Sequence, residues 1–231
     1  MTSRKRIIKY IFIFSPVIFT FGILWFFVNA ERQGRSKKWD GLVILCAGDS
    51  LTAESYPNWL QKMFFEDELN VVVTNRGVKG NTSGEYSIYI KRHKILQETN
   101  PDIILLQLGT NDVRTDADHT PTNQFIKNMN QIIKQMKLYQ NTRGKKPIIL
   151  IATVPPIFKT IFPNFNKESM RRIKEEINPA IEKLAKKWNL ILVDNYKLFL
   201  NRPDLIPDIH PIAAGYKAMA KNWYKSLISL N

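Results

Sequence analysis

The sequence predicts an α/β fold: a parallel sheet with helices on both faces. Three observations predict it. Unbroken apolar runs such as residues 42–47 and 103–108 suit strands buried on both sides rather than strands with a wet face. These runs alternate with segments whose apolar residues recur at helical spacing, and that alternation is the pattern of a parallel sheet with crossover helices. A chain of 231 residues, 44% hydrophobic and 23% charged, suits one globular domain with a substantial core plus an extra segment.

The elements follow in order. Six apolar residues, 42–47, form the first strand and run into Gly48-Asp49-Ser50, where glycine allows a sharp exit. Pro57 opens a helix through about Glu66, residues 69–74 read as the second strand, and residues 84–98 read as a helix. Residues 103–108 form the third strand. Thr120-Pro121 starts a helix that carries Phe125, Met129, Ile132, Ile133 and Met136 on one stripe. Residues 148–154 are the fourth strand; Ile173, Ile177, Ile181 and Leu184 then mark a helix in which Pro179 implies a kink or restart. Residues 190–193 are the fifth strand, and Pro211 opens the last helix, through about Leu227.

The extra segment is N-terminal. Arg4, Lys5, Arg6 and Lys9 precede an uncharged apolar run at residues 10–30, whose 21 residues are enough to span a bilayer. The expectation is an uncleaved signal anchor over residues 1–30, a basic juxtamembrane tether at 31–40 and a folded domain at 41–231 outside the cytoplasm. The alternative is secretion after cleavage following Ala30. Basic residues balance on the two flanks, so topology rests on the short tail staying in the cytoplasm.

The net charge of +14 invites a nucleic-acid reading. Residues 1–40 carry eight basic and two acidic residues, a net of +6. The rest is spread along helical faces such as Arg171, Arg172 and Lys174, interleaved with Glu175 and Glu176. That is the pattern of a solvated helix face, and no nucleic-acid partner is expected. Cys46 is the only cysteine, so no intramolecular disulfide forms, and its place in an apolar strand makes it a core residue. No cluster has metal-ligand spacing, so neither a metal nor a cofactor is expected.

In a parallel sheet the loops after the strands gather on one edge, where ligands bind. Ser50 lies on that edge, either as a helix N-cap or as a nucleophile. After the second strand, Gly80 serves an ordinary turn or a close backbone approach to a ligand. After the third, Asn111 forms an Asx-turn or aims its amide at an oxyanion. Of three histidines, His93 sits on a basic helix and His119 in a polar loop. His210 falls in the loop after the fifth strand, on the edge that carries Ser50, and is the best-placed base for it.

Four blocks, Gly-Asp-Ser-Leu at 48–51, Gly80 within Asn-Thr-Ser-bearing residues 75–83, Gly-Thr-Asn-Asp at 109–112, and Asp-Ile-His-Pro at 208–211, resemble the SGNH, or GDSL-type, hydrolases in kind and order. The resemblance covers about residues 41–228. It implies a three-layer α/β/α sandwich with a flavodoxin-like doubly wound sheet, and an esterase or lipase acting on carboxylic or thioesters of lipids, sugars or small acyl compounds. It further implies Ser50 as nucleophile, His210 as general base, and an oxyanion hole from the Ser50 N–H, the Gly80 N–H and the Asn111 side chain. The family usually has an acid three residues before the histidine, and here that position is Pro207. Asp208 is the first choice to orient His210, with Asp204 or a backbone carbonyl as alternatives.

Three activities fit these residues: an ester hydrolase, an acyltransferase passing the same acyl group to a sugar, and a silent domain that binds glycan or lipid. Product analysis with an acceptor sugar separates the first two, and absence of turnover marks the third. The loop at residues 155–165 is unusually apolar. It lines an acyl pocket, touches a bilayer, or completes the core.

Overall fold

The computed structural model describes residue 34 and residues 37–230, and one compact unit runs Asp40–Asn231. Its five strands, β1 (Leu42–Gly48), β2 (Val71–Gly77), β3 (Ile103–Gln107), β4 (Ile148–Ala152) and β5 (Ile191–Val193), form one sheet in the order β2-β1-β3-β4-β5. All neighbours are parallel. The chain moves to one side of β1 to make β2 and then returns to the other side to make β3. The crevice outside the carboxyl ends of β1 and β3 is therefore the switch point of a doubly wound sheet.

Nine helices complete the described fold: α1 (Ser50–Ala53), α2 (Tyr56–Glu66), α3 (Ser83–Arg92), α4 (Ile95–Thr99), α5 (Thr122–Leu138), α6 (Lys167–Arg172), α7 (Asn178–Trp188), α8 (Asn195–Leu200) and α9 (Ala213–Ile228). Successive strand side chains point to opposite faces, so the apolar runs feed two cores. Leu45, Ala47, Ile104, Leu106, Ile149 and Ile151 join Tyr86, Phe125, Ile132 and Ile181 from α3, α5 and α7 on one face. Ile44, Cys46 and Leu105 are buried on the other, the side of α2 and α9, where Tyr56 stacks on Trp223 with centroids 6.2 Å apart. The result is the three-layer α/β/α sandwich expected.

Several boundaries differ from expectation, each for a tertiary reason. β2 extends through Asn75-Arg76-Gly77, which reads as loop in the sequence, because these residues pair with Cys46, Ala47 and Gly48 of the neighbouring strand. The single helix expected over 84–98 is two, broken where Lys94 adopts φ 48, which turns Ile95 and Leu96 into the core. Before Pro179 a π-helical turn, Ile173–Ile177, joins α6 to α7. Proline offers no N–H to the preceding turn, and the wider turn absorbs the mismatch. The five stripe residues of α5 are all fully buried, as their spacing predicts.

The membrane expectation is corrected. Among the described residues no helix is long and apolar enough to cross a membrane. α5, the longest at 17 residues, spans about 25 Å against roughly 30 Å of hydrocarbon, and it exposes Lys127 and Lys134. Segment 1–30, on which the anchor, its extracytoplasmic domain and the cleavage after Ala30 were expected, lies outside the described residues. The single-pass anchor, the membrane partner and the localisation built on them are therefore withdrawn.

Gly48 is where the fold tolerates no side chain. A Cβ there would lie 2.1 Å from the Gln107 carbonyl oxygen and 2.4 Å from Thr52 Oγ1. Gly48→Ala must therefore push β1 from β3 or displace α1. We expect it to lower unfolding stability by about 3 kcal/mol, the upper end of ordinary overpacking costs, as read by urea titration. An unchanged midpoint would show that this approach is not held rigidly.

Candidate active site

The residues singled out after β1, β2, β3 and β5 meet at the switch point. Asp49 is the N-cap of α1: its Oδ1 accepts the Leu51 N–H at 2.9 Å. Because the neighbouring aspartate does the capping, Ser50 Oγ is left for another partner. That partner is His210, whose Nε2 lies 2.9 Å from Ser50 Oγ across 160 residues of sequence. Ser50 is 7% exposed and His210 half-buried. Burial is the main influence on the imidazole and holds its pKa below the usual 6.5. The charges of Glu54 and Asp208 oppose that shift, and Lys79 adds to it.

The other histidines are elsewhere. His93 is exposed and lies against the Tyr89 ring, 4.6 Å between centroids. His119 Nδ1 meets the Arg114 carbonyl at 3.1 Å and an Arg172 nitrogen at 3.0 Å.

The loops after β2 and β3 are tied together by a buried carboxylate. Asp112 accepts the Ser83 N–H at 2.9 Å and the Ser83 hydroxyl at 2.6 Å, and Asn128 Nδ2 donates to the same hydroxyl oxygen at 3.0 Å. Arg172, itself buried, donates to the Asp112 carbonyl at 2.9 Å. Beside this knot, Asn111 Nδ2 donates to the Asn81 carbonyl at 3.0 Å. An amide nitrogen carries two protons, so this bond orients the group while leaving one N–H for a ligand. Gly80, one residue before Asn81, has φ +80, and open space surrounds the position a Cβ would take. Only glycine adopts that backbone readily.

The acidic candidates separate. Asp204 chelates the Arg202 guanidinium at 2.7 and 2.9 Å on the surface. Asp208 Oδ1 accepts the Ile209 N–H at 2.7 Å, so that oxygen serves its own turn and Asp208 reaches His210 as a nearby charge. Among the described residues no carboxylate is hydrogen-bonded to His210.

The apolar loop after β4 is divided. Ile157 and Phe165 close the core, whereas Phe158, Ile161 and Phe162 are exposed. A shallow groove of about 280 Å³ below it is lined by Pro156, Phe158, Met170, Tyr196 and Leu200 among others, and by neither Ser50 nor His210.

A sequence model of the GDSL-like Lipase/Acylhydrolase family matches residues 46–218, a span that takes in all four loops. The chain belongs to this family. An acetylxylan esterase of Xylanibacter ruminicola is 29% identical over 212 residues, covering 80% of this chain and 42% of that protein. An arylesterase of Vibrio mimicus is 26% identical, covering 58% and 63% of the two chains. The chain thus spans less than two thirds of the length of either relative. Among solved structures, a carbohydrate acetylesterase family member from Sinorhizobium meliloti superposes with TM-score 0.68 at 20% identity, covering 80% of this chain and 97% of that one.

Sequence reasoning missed several parts of this GDSL-like site. Asn75, taken as loop, lies within β2 and buttresses α1, the helix that begins at Ser50, through Nδ2 to the Ala53 carbonyl at 3.2 Å. Asp112 and Ser83 sit inside the blocks already singled out, but their pairing joins two loops and has no local signature.

Asp49 carries the clearest electrostatic consequence. Burial, only partly offset by the Leu51 N–H, pushes its pKa up to about 7, and its Oδ2 is buried without a hydrogen-bond partner among the described residues. A carboxyl raised in the folded state contributes stability that is fully present below its unfolded value of 3.8 and is lost as pH rises to about 7. Asp49→Asn keeps a cap acceptor but cannot ionise. The variant should gain stability relative to the native chain by roughly 4 kcal/mol between pH 4 and pH 8, by urea unfolding at both values. A difference that does not change with pH would count against it.

Proposed function

We propose that this chain is a serine esterase that hydrolyses carboxylic esters through an acyl-enzyme on Ser50, with acetyl esters of carbohydrate as its substrate class. One observation carries the mechanism: the 2.9 Å contact between Ser50 Oγ and His210 Nε2 at the sheet's switch point. A serine hydroxyl is a weak nucleophile until a base within this distance accepts its proton. Burial favours the neutral imidazole, the form that a base must take.

Ser50 Oγ attacks the acyl carbon while its proton passes to His210 Nε2. The oxyanion is received by the Ser50 N–H, the Gly80 N–H and the free N–H of Asn111. Collapse expels the alcohol, which takes the proton from His210, and water activated by the same imidazole releases the acid. The relatives named acetylxylan esterase and arylesterase support an ester substrate.

Hydrolysis of p-nitrophenyl acetate, butyrate and octanoate tests this directly. Acetate should turn over fastest and Ser50→Ala should abolish turnover. A folded chain inert on all three esters would overturn the hydrolase reading, and product that appears only with an acceptor sugar present would point to a transferase. Asn111→Ala should lower kcat by 10² to 10³, about 2.7–4 kcal/mol, since one oxyanion donor is lost. The kcat/KM profile should rise with pH through a limb whose midpoint lies below 6.5, because only neutral His210 accepts the proton. A midpoint above 6.5 would contradict the buried-base assignment.

A further inference from the structure

The four sequence blocks contain no arginine behind the site, yet the fold buries one there. Arg172 ends α6, outside those blocks, and is 2% exposed. A buried charge is costly unless its hydrogen bonds are satisfied, so the partners of Arg172 are informative. Its Nη1 donates to the Asp112 carbonyl at 2.9 Å and its Nη2 to the Thr120 carbonyl at 2.5 Å. His119 Nδ1 lies 3.0 Å from the same Nη1, and Glu176 pairs with Nε at 3.6 Å. Residues 112 and 120 are the two ends of one excursion after β3, where the Thr120 N–H also donates to the Asp112 carbonyl at 3.3 Å. A planar guanidinium reaches both ends at once, which a compact ammonium does not. Arg172 therefore fastens the base of this loop.

We propose that Arg172 is a positioning residue of the oxyanion hole, fixing Asn111 through its grip on the next residue in the chain. The inference rests on the serine-esterase reading and deepens it, extending the site to α6. Asn111, Asp112 and Val113 share one short 3-10 turn, so a hold on the Asp112 carbonyl constrains the Asn111 backbone. Through its carboxylate the same Asp112 accepts the Ser83 N–H at 2.9 Å and the Ser83 hydroxyl at 2.6 Å. The turn is thus held both from the start of α3 and from the end of α6. Asn111 Nδ2 donates to the Asn81 carbonyl at 3.0 Å, which fixes one side-chain atom. The Asp112 clamp fixes the backbone that carries it. Such precision matters because an oxyanion donor works only within hydrogen-bond distance of where the charge develops, and a misplacement of about 1 Å can cost roughly 10²-fold in rate.

The test compares R172M, N111A and the double variant R172M/N111A in the full chain, as kcat and KM on p-nitrophenyl acetate. R172M should lower kcat about tenfold with KM little changed, because a donor displaced by less than 1 Å is weakened rather than lost. In the N111A background the same substitution should cost less than about twofold, since the donor that Arg172 places is already gone. R172K keeps the charge but not the fork, and its kcat should fall between those of the native chain and R172M. The ¹⁵N–¹H signals of the Asn111 side-chain amide, assigned by their loss in N111A, report the same geometry without turnover. They should shift in R172M and in R172K.

Equal losses of kcat with and without Asn111 would overturn the proposal in favour of an arginine that only stabilises the fold. So would a kcat unchanged in R172M while urea unfolding shows lost stability, or Asn111 amide signals that stay in place. If R172M does not fold, R172K is read against N111A in the same way. A chain inert on every ester would sink the esterase reading, while the amide signals still decide whether Arg172 places Asn111.

Discussion

The hydrogen bond between Ser50 Oγ and His210 Nε2 is the constraint on which the site depends, and it closes 160 residues of chain. Both residues sit on short, tightly held turns. Holding them in register requires that the ends of β1, β3, β4 and β5 be fixed relative to one another. The sheet alone does not achieve this, because its ladders end near these residues. Side chains continue the work beyond the ladder: Gln107 at the end of β3 donates to the Thr153 carbonyl at 3.3 Å and accepts from Asn195 at 2.8 Å, and Asn222 of α9 donates to Asn195 at 2.9 Å. Thr153 Oγ1 in turn donates to Asp194 at 3.0 Å. A buried polar network of this kind is costly unless satisfied, and these groups satisfy one another.

The second half of the site is held around a buried carboxylate. Asp112 is fully buried, which raises its pKa, yet it accepts two bonds from Ser83 and has Arg172 nearby. Asp49 is also fully buried: one oxygen caps α1, and the Leu51 N–H and Thr110 only partly offset the burial that raises its pKa. The turn at Asp49 therefore carries a local electrostatic cost that the surrounding core must offset.

Much of the architecture was legible in the sequence. The runs at 42–47 and 103–108 became interior strands because only a position buried on both faces accepts such a run. The α5 stripe was legible because helical spacing and burial are the same fact seen twice. Ser50 falls just past the end of β1, where a doubly wound sheet presents residues, whereas His210 lies beyond β5 and α8 and is returned to Ser50 by the fold. The comparisons with GDSL-like relatives agree on the family but leave each residue's role to chemistry.

Local composition determined by itself which segments are strands and helices, and which loops share an edge, since periodicity and burial are properties of a residue and its near neighbours. Only the tertiary structure decided the rest. Asn75-Arg76-Gly77 became strand because Cys46, Ala47 and Gly48 lay alongside to pair with them. Asp208, expected to orient His210, spends an oxygen on its own turn, while the contact that His210 does make, with Ser50 Oγ, crosses 160 residues of chain. Hydrogen bonds and Coulomb forces act through space over a few ångströms, and the sequence does not record which distant residues folding will bring within that reach.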